Sequence, residues 1–124
     1  MATDNRIEVA RESGLTLYAV VFRPGDLYVW DVGDSAFEAP GTWNAARVGA
    51  CDIPLTEVAG TGMYYGSFPT TIVGGDYHVR IYQQTGANPD PDADIDRGGG
   101  TVSWTGSRMI RGYDQAARNH AYLT

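Results

Sequence analysis

The sequence predicts an all-β fold, an Ig-like antiparallel β-sandwich of about seven strands with an extended arm at each end. Three observations point there. Short runs rich in Val, Ile, Tyr, Phe and Trp recur along the chain with turn signals between them. Glycine is abundant, 16 of 124 residues, as a fold with many turns requires. The third is Gly62-Met-Tyr-Tyr-Gly-Ser-Phe-Pro69 followed by Gly74-Gly-Asp-Tyr-His-Val-Arg-Ile-Tyr82, which reads as two adjacent strands joined by a short Pro/Gly connection. Tyr77 stands two residues before the core aliphatic Val79. From that position a tyrosine hydroxyl bonds back to upstream backbone and pins the corner between sheets.

Residues 1–13 mix charged and small side chains, with Ile7 and Val9 the only sizeable apolar groups after Met1, and read as an arm with room for one short strand. Gly14 opens the strand Leu15–Phe22. Leu15, Leu17, Ala19 and Val21 share one face, while Thr16, Tyr18, Val20 and Phe22 make the other face apolar too. A strand apolar on both faces is either central and covered or part of an interface. Pro24-Gly25 is a turn, and Leu27–Val32 is the hairpin partner. Ala36–Ala39 lies between two further turns. The stretch 42–48 around Trp43 fits a short strand or a helical turn.

Cys51–Val58 alternates with Cys51, Ile53 and Leu55 inward, and Pro54, which has no N–H, argues for an edge. Strands at 63–68 and 76–84 follow. Residues 86–100 read as one long Asp/Pro/Gly loop, and Thr101–Thr105 as the last strand. The domain is therefore expected at 14–106, with arms at 1–13 and 107–124. Asp114 could cap a short helix over Gln115–Leu123, one too short to stand in water without a surface to lie on.

At 124 residues the chain is expected to be one domain, able to bury about two thirds of its unfolded surface without staples. The net charge of -6 disfavours direct nucleic-acid binding, which needs Lys and Arg. The nine Lys and Arg positions are all Arg, for which a GC-rich coding bias is the plainer reading and service at protein interfaces, where Arg is enriched and Lys depleted, the sharper one. The single cysteine, Cys51, cannot form an internal disulfide. No signal peptide and no apolar run of about 20 residues is visible, so no membrane association is expected.

No constellation of residues reads as catalytic. Asp90, Asp92, Asp94 and Asp96 are the strongest polar cluster, since alternate carboxylates can fold around a cation such as Ca²⁺. Counted from Asp92, however, the sixth position is Arg97 and the twelfth Ser103, where such loops want Gly and Glu. A solvated loop is the plainer reading, and no cofactor is expected. Cys51 with His78 or His120 could suggest a thiol nucleophile, but an inward-facing thiol is ordinarily inert packing. The aromatics remain: 8 Tyr, 3 Trp and 3 Phe. Trp30 or Tyr28, Phe68, Tyr77 and Trp104 are expected in the core. Tyr18, Phe22, one of Tyr64 and Tyr65, and Tyr82 are left facing out, where the chain's own tails, a partner or a stacked sugar could cover them.

Several strand motifs resemble a known group. Leu15-Thr-Leu-Tyr-Ala19, Val29-Trp30, Ala36-Phe-Glu38, Leu55-Thr-Glu57, the two central strands and Gly100-Thr-Val-Ser-Trp-Thr-Gly106 are similar to small Ig-like β-sandwich proteins of tailed bacteriophage virions. The resemblance covers residues 14–106. It implies a non-enzymatic virion structural protein, a capsid decoration or cement protein or a neck or tail accessory, assembled in the host cytoplasm. Its partners would be major capsid, portal, neck or tail subunits and further copies of itself. The basic C-terminal arm would do the gripping, through Arg108, Arg111, Tyr113, Arg118 and Tyr122, while Tyr77 and Trp104 would hold the body. The alternative is a carbohydrate-binding or adhesion module.

Overall fold

The computed structural model describes the backbone of residues 5–110 and 120–123 and the side chains of 5–109. The architecture is an all-β sandwich of two packed sheets with one short helix. The strands are β1 (Arg6–Ala10), β2 (Leu17–Phe22), β3 (Val29–Asp31), β4 (Ala36–Glu38), β5 (Ile53–Pro54), β6 (Thr56–Glu57), β7 (Met63–Ser67), β8 (Gly75–Gln83), β9 (Ile95–Trp104), β10 (Met109–Ile110) and β11 (His120–Leu123). The helix α1 is Ala45–Cys51. The smaller sheet has the order β11-β1-β7-β6. The larger has the order β10-β9-β8-β2-β3-β4, with β5 beside β2. Among the described residues every pairing is antiparallel except β1 with β11.

The main core lies between the sheets. Leu17, Ala19 and Val21 of β2, Tyr77, Val79 and Ile81 of β8, and Val102 and Trp104 of β9 meet Ile7, Val9, Tyr64 and Phe68 of the opposing layer. Period-2 alternation puts these side chains on one face of each strand. The polar tips of the buried aromatics are satisfied. The Tyr77 hydroxyl donates to Val73 O at 2.6 Å, which is the expected corner bond, and the Trp104 indole N–H donates to Ile72 O at 2.8 Å. The Tyr64 hydroxyl donates to Glu12 O at 2.7 Å and accepts from Leu15 N at 2.9 Å.

The outer face of β2 is covered at Tyr18 and Val20, which makes this strand central and covered there. Asn44 caps α1 by accepting from Arg47 N at 3.0 Å, and the helix ends at Asp52, in extended backbone ahead of Ile53-Pro54. Val48 and Cys51, three apart and so on one helical face, pack on Tyr18, Val20 and Val29. Cys51 is thus inward as expected, but it faces this second core from a helix rather than the inter-sheet core from a strand. The alternation begins only at Ile53, and there the chain divides: Ile53–Pro54 joins β2, and Thr56–Glu57 joins β7 in the other sheet.

Three expectations need correction. The domain does not begin at residue 14, because Arg6–Ala10 is the strand between β11 and β7, with Ile7 and Val9 fully buried. Nor does it end at 106. Met109 is buried in the main core and pairs with Trp104, and His120–Leu123 is a strand beside β1 rather than the end of a helix. Residues 111–119 and 124 of the expected C-terminal arm lie outside the described residues. The loop at 86–100 is shorter than expected, since β9 starts at Ile95 and runs through Gly98–Gly100. Arg80 pairs with Gly99 and Tyr82 with Asp96, so Arg97 and Gly98 together face the single residue Ile81, a β-bulge. Gly98 has φ +93° and Gly99 φ +150°. A Cβ on Gly99 would sit 2.0 Å from Val79 O, so the glycines that read as loop are what lets this strand pass the bulge.

Candidate functional site

The outer face of the larger sheet is only half covered by α1. Across β2, β8 and β9 the ladder sets three rows of outward positions: Phe22, His78 and Thr101; Val20, Arg80 and Gly99; Tyr18, Tyr82 and Asp96. Val20 and Tyr18 lie beneath α1. The remaining positions floor an open groove of about 840 Å³. One wall is Pro40-Gly41 and Trp43, the connection between β4 and α1, and Leu27 of the β2–β3 turn stands at the rim.

Its aromatic lining is fixed from below and from the side. Tyr82 stacks on Tyr18 with ring centroids 5.4 Å apart, and Trp43 leans on Phe22 at 6.0 Å. Arg80 and Asp96 form an ion pair across the floor. Among the described residues, no side-chain hydrogen bond engages the His78 ring, the Trp43 indole N–H or the Thr101 hydroxyl. At the rim, Leu27 is held at φ +58° and is 56% exposed. Its backbone N–H donates to Arg23 O at 2.9 Å, and Arg23 pairs with Asp26. That turn holds a bulky side chain, branched at Cγ rather than Cβ, in the left-handed region, at a cost of about 1–2 kcal/mol.

The aspartate ladder does not converge. Asp94 organises the loop: its Oδ2 accepts from the Tyr18 hydroxyl at 2.6 Å and from Asp90 N at 2.8 Å, and its Oδ1 accepts from Thr85 N at 3.0 Å. Burial pushes the Asp94 carboxyl up, but these donors outweigh it and hold the group below the usual range. Burial, and then this same contact with Asp94, pushes the Tyr18 hydroxyl far up. Asp90 Oδ1 accepts from Asp92 N at 3.0 Å, and Asp96 serves Arg80 and Gly98 N. Each of these carboxylates except the exposed Asp92 therefore has work within the loop or strand.

A carboxylate trio that sequence reasoning missed lies elsewhere. Oxygens of Asp31, Asp34 and Glu38 come within 4.8 Å of one another on the β3–β4 hairpin, close enough to share a cation. Arg47 of α1 already reaches into them, 3.0 Å from Glu38 and 3.6 Å from Asp31. The hydrogen bond between Asp34 and Glu38 raises the Glu38 carboxyl, against the opposing pull of Arg47. The guanidinium supplies the counter-charge, and the group acts as a clamp holding the helix to the hairpin.

The thiol and Arg108 stand apart from the groove. Burial pushes Cys51 up to about 11, so the thiol stays protonated near neutral pH. His78 is on the groove floor, on the opposite face of β8 from the main core. Arg108 is exposed, next to β10. Tyr122 lies in β11, its backbone opposite Glu8, while Arg111, Tyr113 and Arg118 fall outside the described residues. Tyr77 and Trp104 occupy the core as expected. Sequence reasoning missed the groove itself, although it placed Phe22 and Tyr82 facing outward. Its signal was the glycine run, read as loop rather than as bare strand. No protein family, curated protein or solved structure matches this chain.

Proposed function

We propose that the chain is a non-enzymatic structural protein of a tailed-bacteriophage virion, a capsid decoration protein or a neck or tail accessory, that grips neighbouring subunits through the polar segments leading into its terminal strands. The resemblance of the strand motifs supports the setting. One observation carries the mode of attachment. β1 and β11 run parallel, with Arg6 opposite His120, so the chain enters both strands at the same end of the smaller sheet. The starts of these two strands therefore lie side by side, where one contact surface can engage the chain at both.

Charge supports the same reading. Residues 5–110 hold 13 acidic and 7 basic side chains, a net of 7 − 13 = -6, whereas 111–124 adds Arg111 and Arg118 against Asp114 alone. A basic segment on an acidic body suits docking onto the acidic surface of a neighbouring subunit or a second copy.

Because Met109 and β11 belong to the sandwich, removing residues 107–124 would damage the body as well as the contact. The test is charge reversal at Arg108, Arg111 and Arg118 together, each to Glu. Co-purification with assembled particles should be lost while the thermal melt of the isolated protein stays close to that of the parent. Full occupancy on particles by a folded triple variant would end this reading.

A further inference from the structure

We propose that the open half of the larger sheet's outer face is a binding groove for a neutral oligosaccharide. This goes beyond the structural role above and does not depend on it. The groove has the size of a small-molecule site, about 840 Å³, and combines apolar walls with a few polar groups on its floor. Phe22, Trp43 and Tyr82 line the groove, and the face of an aromatic ring carries negative charge density, which the polarised C–H groups on the flat side of a sugar ring match. Between them, Arg80 and Asp96 present donors and acceptors side by side, the pattern that neighbouring hydroxyls require. The His78 ring, the Trp43 N–H and the Thr101 hydroxyl have no partner among the described residues and can bond a ligand.

Other occupants fit less well. A phosphate-bearing or acidic ligand needs a net positive field. Among the described residues the one guanidinium lining the groove is paired with Asp96, and the chain carries a net charge of -6. A peptide added as a strand needs a free backbone edge. The floor strand β8 is paired on both sides, with β2 and β9, and since β10 pairs only with Ser103 and Trp104 of β9, a strand added along the rest of that edge would extend the sheet beside the groove rather than fill it. A lipid tail would leave Arg80, Asp96 and His78 without water. The rim adds a second observation, for Leu27 is exposed and held in a backbone region that disfavours it. Strain of that kind collects at ligand clamps.

The experiment screens the purified full chain against immobilised gluco-, manno-, galacto- and N-acetylglucosamine oligosaccharides. A parallel set of sialylated and uronic-acid glycans and a sedimentation run for self-association complete it. Trp43→Ala and Arg80→Ala are measured on every hit. The expected result is binding to a neutral glycan, weakened about tenfold or more by each variant. Should Trp43→Ala melt early, Arg80→Ala decides alone, because that pair is half-exposed. Four results would overturn the proposal: no neutral glycan bound, binding only to acidic glycans, binding unchanged in a folded Arg80→Ala protein, or a dimer that Trp43→Ala dissolves. Particle incorporation is not read in this assay, so its outcome leaves the proposed structural role standing or falling by itself.

Discussion

The two halves of the larger sheet's outer face make an instructive pair. Over β2 and β3 the face is sealed: Tyr18, Val20 and Val29 lie under Val48 and Cys51 of α1. Over β8 and β9 the same face is open, and its residues are His78, Arg80, Gly99 and Thr101. The sheet is continuous across the boundary, and Tyr82 of β8 stacked on Tyr18 of β2 marks it. What differs is the supply of apolar side chains. β2 is apolar on both faces and demands a cover, whereas β9 sets Thr101, Gly99 and Asp96 on this face and has no apolar side chain there to bury. The helix covers only as much sheet as repays covering, and the bare remainder becomes a groove.

Trp104→Ala sets the scale, since it empties the layer beneath both halves. Loss of this ring, 2% exposed, should cost about 3–5 kcal/mol in denaturant unfolding. Gly99→Ala attacks the open half alone. Its new methyl would collide with Val79 O at φ +150°, and about 3 kcal/mol of destabilisation is expected. A change under about 1 kcal/mol would show that β9 can relax and that the bare floor is not imposed by the bulge. Tyr77→Phe should cost about 1–2 kcal/mol, at the low end for a buried bond because Val73 is exposed and water can take its carbonyl. Leu27→Asn should instead raise stability by about 0.5–1 kcal/mol, by relieving the left-handed backbone. If the groove binds glycans, the same change weakens that binding.

The smallest effect concerns the hydrogen bond from Tyr18, at the boundary, to Asp94. The folded carboxyl is held below its unfolded value of about 3.9. The stability it contributes is therefore present above that pH and is lost as pH falls through the lower folded value. Melting temperature followed downward from about pH 4 should fall less steeply in Asp94→Asn than in the parent. Parallel curves would show that the loop carboxylate is not linked to folding.

Much of the sandwich was legible because it rests on period-2 alternation, and alternation survives without context. Tyr77, Val79 and Ile81 of β8 inward against His78 and Arg80 outward is a local fact of the chain. So is the corner bond, which spans four residues. The misplacements have a common cause, which is partnership at long range. Arg6–Ala10 carries only Ile7 and Val9 and becomes a strand because β7 and β11 flank it. Gly98–Gly100 has the composition of a loop and is held extended by β8, across a bulge no local pattern announces. Trp43 was ambiguous because its role is to wall a groove, and no spacing encodes a wall. The groove's polar residues were all visible, but only the register of three strands puts His78 beside Thr101 and Arg80 beside Gly99.

The chain's passage from β5 to β6 has a mechanical consequence. Ile53–Pro54 is stitched to one layer and Thr56–Glu57 to the other, with only Leu55 between them, its N–H bonded to Leu17 O at 2.9 Å. The layers cannot slide or part while both stitches hold. A molecule laced in this way has no cheap half-open form, so its two layers come apart as one cooperative unit. Load arriving at the terminal strands of the smaller sheet would thus be shared with the larger one, a useful property in any protein that must stay rigid while being pulled.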